Sequence, residues 1–232
     1  MPYYQHYSFD LWLTLIKSNP EFKAQRARYF QKHHNLFNKT EEEVARLFRR
    51  VDLLVNAVNE KSGKNIDADE MYLMVISLLN NGEANLDDVD MPHLEAKMEE
   101  LLFSYPPQLF SRVTFSSLQH LKENSGATFS LLSNTGYITG KTLRKVLALH
   151  GLDNYFDFQL YSDEVGMSKP NPEFFKVMLK NVDIVNPGTT IPLAAIIHIG
   201  DNPKNDIVPA AAIGIDGLLI NSNKNTILSL IN

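Results

Sequence analysis

Apolar residues along this chain fall into successive patterns, and each predicts a different kind of structure. The first is an aromatic-rich run, residues 3 to 10, that ends at Asp10 and reads as a short strand. The second extends from Pro20 to about Ser104 and has helical spacing, starting with Phe22, Ala24, Tyr29 and Phe30. Thr40 and Glu43 form a capping box, in which hydroxyl and carboxylate each satisfy a backbone N–H that the helix leaves unpaired. Val44, Leu47, Phe48, Val51, Leu54, Val55 and Val58 then make a helical stripe, closed by Gly63 and Asn65. Asp67 opens a further helix through Met71, Met74, Val75, Leu78 and Leu79, and Asn80-Asn81-Gly82 stops it. Met91 to Phe103 gives another, and no convincing strand falls in this stretch.

Pro106-Pro107 opens a pattern in which helices and strands alternate. Helices are predicted at residues 115–123, 142–150, 172–182 and 206–212; strands at 127–132, 158–162, 194–199 and 217–220. Such alternation implies a parallel sheet with helices on both faces. The simplest architecture is an α/β core of residues 1–16 and 106–232, with an all-helical segment, residues 17–105, inserted after the first strand.

Composition narrows the function classes. A chain of 232 residues can bury a full core, and 44% hydrophobic with 21% charged content is ordinary for a globular protein. The net charge of −5 argues against a nucleic-acid or anionic-membrane surface. The chain has no cysteine, which excludes disulfides, thiolate catalysis and zinc–cysteine sites. Neither a signal peptide nor a run of about 20 apolar residues is seen, so a cytoplasmic location is expected. Oligomeric state is open.

The candidate chemistry sits where predicted strands end. Asp10, Ser133 and Asp201 each fall at the carboxyl end of a strand, where open α/β sheets gather ligands. Any one of them alone reads better as a turn former or helix cap. With Lys169 in Ser168-Lys169-Pro170-Asn171-Pro172, and Asn205-Asp206 after Asp201, they supply a carboxylate nucleophile, a hydroxyl and amide clamp, a rigid cation and a metal-binding carboxylate pair. That equipment suits attack on phosphorus through an aspartyl intermediate.

These segments, in this order, resemble the haloacid dehalogenase (HAD) superfamily, most of whose members are phosphatases. The resemblance covers the α/β core; for the helical segment it covers only place, size and helicity, which match a HAD cap. It implies that Asp10 is the nucleophile. Asp10, the Trp12 backbone carbonyl and Asp201 would hold Mg²⁺. Ser133, Asn134, Thr14 and Lys169 would bind the phosphoryl group, with Lys169 also catalytic. Asp206 and Asn205 would support this set from behind. The implied partner is a small phosphorylated molecule.

Trp12 departs from the pattern, because HAD phosphatases usually carry a second Asp there to protonate the leaving group and activate water. Indole does not titrate usefully and can do neither. Slow phosphoester hydrolysis, an acid/base from elsewhere, or a catalytically silent phosphate-binding protein are all compatible with it. The 2-haloacid dehalogenases carry an aromatic residue at that place, since halide leaves unprotonated, but they replace the carboxylate at the Asp201 position and use no metal. Other tempting residues read more simply: His33-His34 as solvated helix-end residues, Arg49 and Arg50 as a solvated face, and Asp87, Asp88 and Asp90 as a charged loop. Lys17, Ser18 and Asn19 follow the first loop, where HAD flap segments touch substrate.

Overall fold

The computed structural model describes residues 4–231. The expected first strand opens at Tyr3, which, with Met1 and Pro2, lies outside them. The element order is β1 (His6–Phe9), β2 (Ile16–Lys17), α1 (Pro20–His33), α2 (Glu41–Ser62), α3 (Ala68–Leu79), α4 (Met91–Ser104), β3 (Gln108–Leu109), α5 (Thr114–Ser125), β4 (Thr128–Ser133), α6 (Gly140–Leu149), β5 (Phe158–Tyr161), α7 (Ser162–Val165), α8 (Pro172–Val185), β6 (Ile196–Gly200), α9 (Val208–Ala212) and β7 (Asp216–Leu219). The main sheet has five parallel strands in the order β5-β4-β1-β6-β7. β1 is therefore central, with Phe9 level with Leu131 on one side and Ile199 on the other.

The period of two along β1 sends its residues into different layers. Tyr7 and Phe9 join Phe129, Leu131, Ile197 and Ile199 in a cluster that takes in Leu118 and Leu121 of α5 and Leu143 and Val146 of α6. On α8, Phe174, Phe175 and Met178 cluster instead with Leu132 and Ile196. The sheet also buries polar residues that pair across strands: His6 bonds Thr128 and Ser130 at 2.8 and 2.9 Å, and Ser8 bonds His198 at 2.9 Å. Burial keeps both histidines well below the usual imidazole range.

The helices between β2 and β3 build a hydrophobic cluster of their own around Phe30, Phe48, Tyr72 and Val75. The Thr40–Glu43 capping box is present, as is one at Asp67 with Glu70, and Gly63 ends α2 in the left-handed region at φ 70°. The α2 stripe is narrower than its spacing predicts. Val44, Phe48, Val51 and Val55 are buried, whereas Leu54 and Val58, rotated off that face, are exposed. Lys17 and Gln108 belong to a small antiparallel ribbon, β2 with β3, which ties the two ends of the helical stretch together; two residues per strand are too few to show a period in sequence. Beyond Asp201 the predicted helix begins as a π turn, Pro203–Ile207. Pro209 has no N–H to donate, which favours a widened turn just before it. No helix among the described residues is long and apolar enough to cross a membrane.

Candidate active site

β1 delivers Asp10 to the carboxyl end of the sheet centre, where its N–H donates to the Ile199 carbonyl at 2.8 Å. The chain then turns sharply. Leu15 and Ile16 N–H groups both return to the Leu11 carbonyl, and Leu13 N–H donates to Ile16 at 2.7 Å. This turn brings Thr14 under Asp10, and its hydroxyl donates to Asp10 Oδ2 at 3.0 Å. Leu13 adopts φ 59° at the apex and is 51% exposed. The left-handed region costs a branched L-residue about 1–2 kcal/mol, only part of which glycine gives back through its freer unfolded chain. Leu13→Gly is therefore expected to raise stability by about 0.5–1 kcal/mol. Denaturant unfolding checks this; a lower midpoint would mean that the Leu13 side chain packs productively.

Lys169 holds the centre of the site and is 2% exposed. Its Nζ donates to Asp10 Oδ1 at 2.8 Å and Asp206 Oδ1 at 2.6 Å. Asn134 positions it. The Asn134 amide donates to the Lys169 carbonyl at 2.9 Å, and the Lys169 N–H donates back to Asn134 Oδ1 at 2.7 Å. The side chain of Asn134 thus grips the lysine backbone, while the fully buried Ser133 hydroxyl donates to the Asn134 carbonyl at 3.2 Å. Asp206 in turn accepts from the Asn202 N–H at 2.9 Å and contacts His198 Nε2 at 3.3 Å. Gly200 makes room for it, since a Cβ there would sit 2.2 Å from the Asp206 carboxyl carbon.

Carboxylates outnumber cations here. Oxygens of Asp10, Asp201 and Asp206 lie within 4.8 Å of one another, against the Lys169 ammonium as the one cation paired with them among the described residues. Burial pushes Asp10 up to about 7, opposed by the Lys169 charge, and burial and then the Asp206 charge push Asp201 up to about 6. Burial also acts to raise Asp206, but Lys169 and His198 outweigh it and hold that carboxyl well below the usual range. For Lys169 the two carboxylates outweigh burial and keep it charged. An all-oxygen donor set with surplus negative charge fits a hard divalent cation.

Asn205 lies differently from the support role expected of it: its amide donates to Glu60 of α2 at 3.1 Å, while Lys204 pairs with the same carboxylate. Asn19 caps α1 and donates to the Pro106 carbonyl, and Arg49 pairs with Asp52 on an exposed face. Asn221 carries no sequence signal, yet its amide donates to the Leu13 and Thr14 carbonyls at 2.8 and 3.1 Å and braces the first loop from β7.

A parallel sheet whose central strand ends in a buried aspartate gripped by a lysine and flanked by further carboxylates is the arrangement of a haloacid dehalogenase-like hydrolase. The profile of that family matches residues 4–214, and the chain belongs to it. The chain is 27% identical over 169 residues to glyceraldehyde 3-phosphate phosphatase of Pyrococcus furiosus, a match covering 67% of this chain and 65% of that relative. The chain thus spans about two thirds of that protein's length. Among solved structures, a HAD-hydrolase from Bacillus subtilis, YfnB, bound to magnesium, superposes with a TM-score of 0.70 at 19% identity, covering 96% of this chain and 91% of that one. A HAD phosphatase from Thermococcus onnurineus gives 0.65 at 21% identity, covering 95% and 88%. These structural likenesses establish the fold.

Proposed function

We propose that the protein hydrolyses a small phosphoester through an aspartyl intermediate on Asp10. The observation that carries this reading is the carboxylate cluster: buried Asp10 and Asp206 flank Lys169, and half-buried Asp201 lies beside them. Asp10 Oδ attacks phosphorus, the ester oxygen departs, and water then releases phosphate and restores the carboxylate. Mg²⁺ held by Asp10, the Trp12 carbonyl and Asp201 would neutralise phosphoryl oxygens that otherwise repel an attacking anion. Lys169 holds Asp10 in position and offsets charge on the transferring group. Thr14 fixes the second Asp10 oxygen, and Ser133 with the adjacent main chain faces the phosphoryl oxygens. The helical segment, residues 17–105, serves as the cap that excludes water from the intermediate. Phosphatase-named relatives support a phosphorylated small molecule as substrate.

A panel of phosphoesters and 2-haloacids, assayed with and without Mg²⁺, tests the reading. Phosphate release that a chelator abolishes is expected. Calorimetric titration should show one Mg²⁺ bound by the parent and none by Asp201→Ala. Trp12 favours a second reading, metal-free dehalogenation; chelator-insensitive turnover of haloacids without phosphatase activity would establish it instead.

A further inference from the structure

The loop that follows α2 reaches into the core beside Lys169. The Gly63 carbonyl accepts from the Ser168 N–H at 3.2 Å and from the Asn171 amide at 3.0 Å. Lys64 forms an antiparallel bridge with Met167. A Cβ on Gly63 would meet the Asn171 side chain at 2.9 Å, so glycine permits the close approach. Near the end of the same helix, Glu60 holds Lys204 and Asn205, on the loop that carries Asp206.

Asn65 reaches further in. Its Oδ1 accepts from the Ser162 hydroxyl at 2.7 Å and from the Ser168 hydroxyl at 3.3 Å, and both serines are fully buried. Its amide nitrogen donates to Asp67 Oδ1 at 2.7 Å and to the Ile66 carbonyl at 3.1 Å. Neither of those acceptors can donate, so the amide has one orientation, with its oxygen toward the serines. Ser162 spends its own proton on Asn65, and its Oγ accepts from the Thr135 N–H at 2.8 Å and the Thr135 hydroxyl at 3.0 Å. Ser168 precedes Lys169, and Thr135 follows the Asn134 that grips the lysine backbone. One oxygen of the helical segment thus ties both sides of the Asn134–Lys169 pair.

We propose that Asn65 is a positioning residue for phosphoryl transfer, holding the Lys169 and Asn134 loops together so that the lysine meets Asp10. This rests on the phosphoester reading above. The Ser168 hydroxyl has no other acceptor among the described residues, and a buried hydroxyl without one turns away or admits water. Either response shifts the Lys169 backbone, and with it the ammonium that bonds Asp10. A misplacement of about 1 Å at a catalytic group can cost about a hundredfold in rate. The oxygen and nitrogen of the Asn65 amide are both spent on protein partners, so its loss should act on kcat and spare KM.

Steady-state kinetics of Asn65→Leu, on a phosphoester that the parent turns over, test this beside amide hydrogen exchange followed by NMR. The variant's kcat should fall at least about tenfold, with KM held to within about twofold. Its Lys169 and Thr135 amides should exchange at least about tenfold faster, while the amides of β1 keep their parental rates. Should Asn65→Leu fail to fold, Ser168→Ala, which removes one of the two donors and strands no acceptor, should show the same pattern at about threefold. A folded variant with parental kcat, or one whose KM rises while kcat holds, overturns the assignment. So does exchange that stays unchanged at Lys169 and Thr135, or that quickens equally in β1. If the parent turns over no phosphoester, the phosphoester reading fails, and exchange alone then decides whether Asn65 holds Lys169 in place.

Discussion

Asp10→Asn is expected to lower turnover at least about a thousandfold, the scale of losing an essential nucleophile. The side chain keeps its size, and Lys169 retains Asp206 as charge partner at 2.6 Å, so the fold should persist. The stability of the variant separates loss of chemistry from loss of structure. Burial pushes Asp10 up to about 7 in the folded protein, whereas an unfolded aspartate titrates near 3.9. Between those values the folded state binds more protons than the unfolded one, so Asp10 lowers stability as pH rises through the window. Asparagine does not titrate. In metal-free protein the variant should therefore gain stability over the parent from about pH 4 up to pH 7 and keep a constant margin above it, on the order of a few kcal/mol. Denaturation midpoints at pH 5 and pH 8 read this margin directly. A folded variant with near-parental turnover would remove Asp10 from the mechanism.

Trp12→Asp should act in the opposite direction. Trp12 lies within the turn that follows Asp10 and packs, half-buried, against the core cluster. In the proposed mechanism no group at this position protonates the departing oxygen or activates water, so aspartyl-phosphate should accumulate on the parent and survive acid quench after reaction with acetyl phosphate. A positioned carboxylate supplies general acid–base help worth about a hundred- to ten-thousandfold. Turnover should rise accordingly and the trapped phospho-enzyme should disappear. Losing the indole removes apolar burial worth about 2 kcal/mol, so the melting temperature should drop while activity climbs. If the variant folds, and neither it nor the parent traps phosphate or hydrolyses any donor, the protein is a catalytically silent member of its family.

The alternation of apolar runs after Pro106 was enough to predict a parallel α/β sheet, because strands buried on both faces must be continuous in apolar residues and each crossover needs a helix. Capping signals located α2 and α3 for the same local reason: Thr40 with Glu43, and Asp67 before Met71, satisfy backbone groups within one turn. The ends of β1, β4 and β6 likewise placed Asp10, Ser133 and Asp201 at one edge, since the carboxyl end of every strand in a parallel sheet points the same way. What lies between those edges was decided only in three dimensions. Lys169 inserts between Asp10 and Asp206, from positions 159 and 37 residues distant, and neither spacing has a period that a sequence could display. The Asn134 grip on the lysine backbone, the Asn221 brace under Leu13 and the aromatic cage around Arg26 are of the same kind. Local periodicity reports which face of an element meets the core. Contacts between side chains remote in sequence depend on how the elements are stacked, and the surplus of buried charge at this site exists only once that stacking has removed it from water.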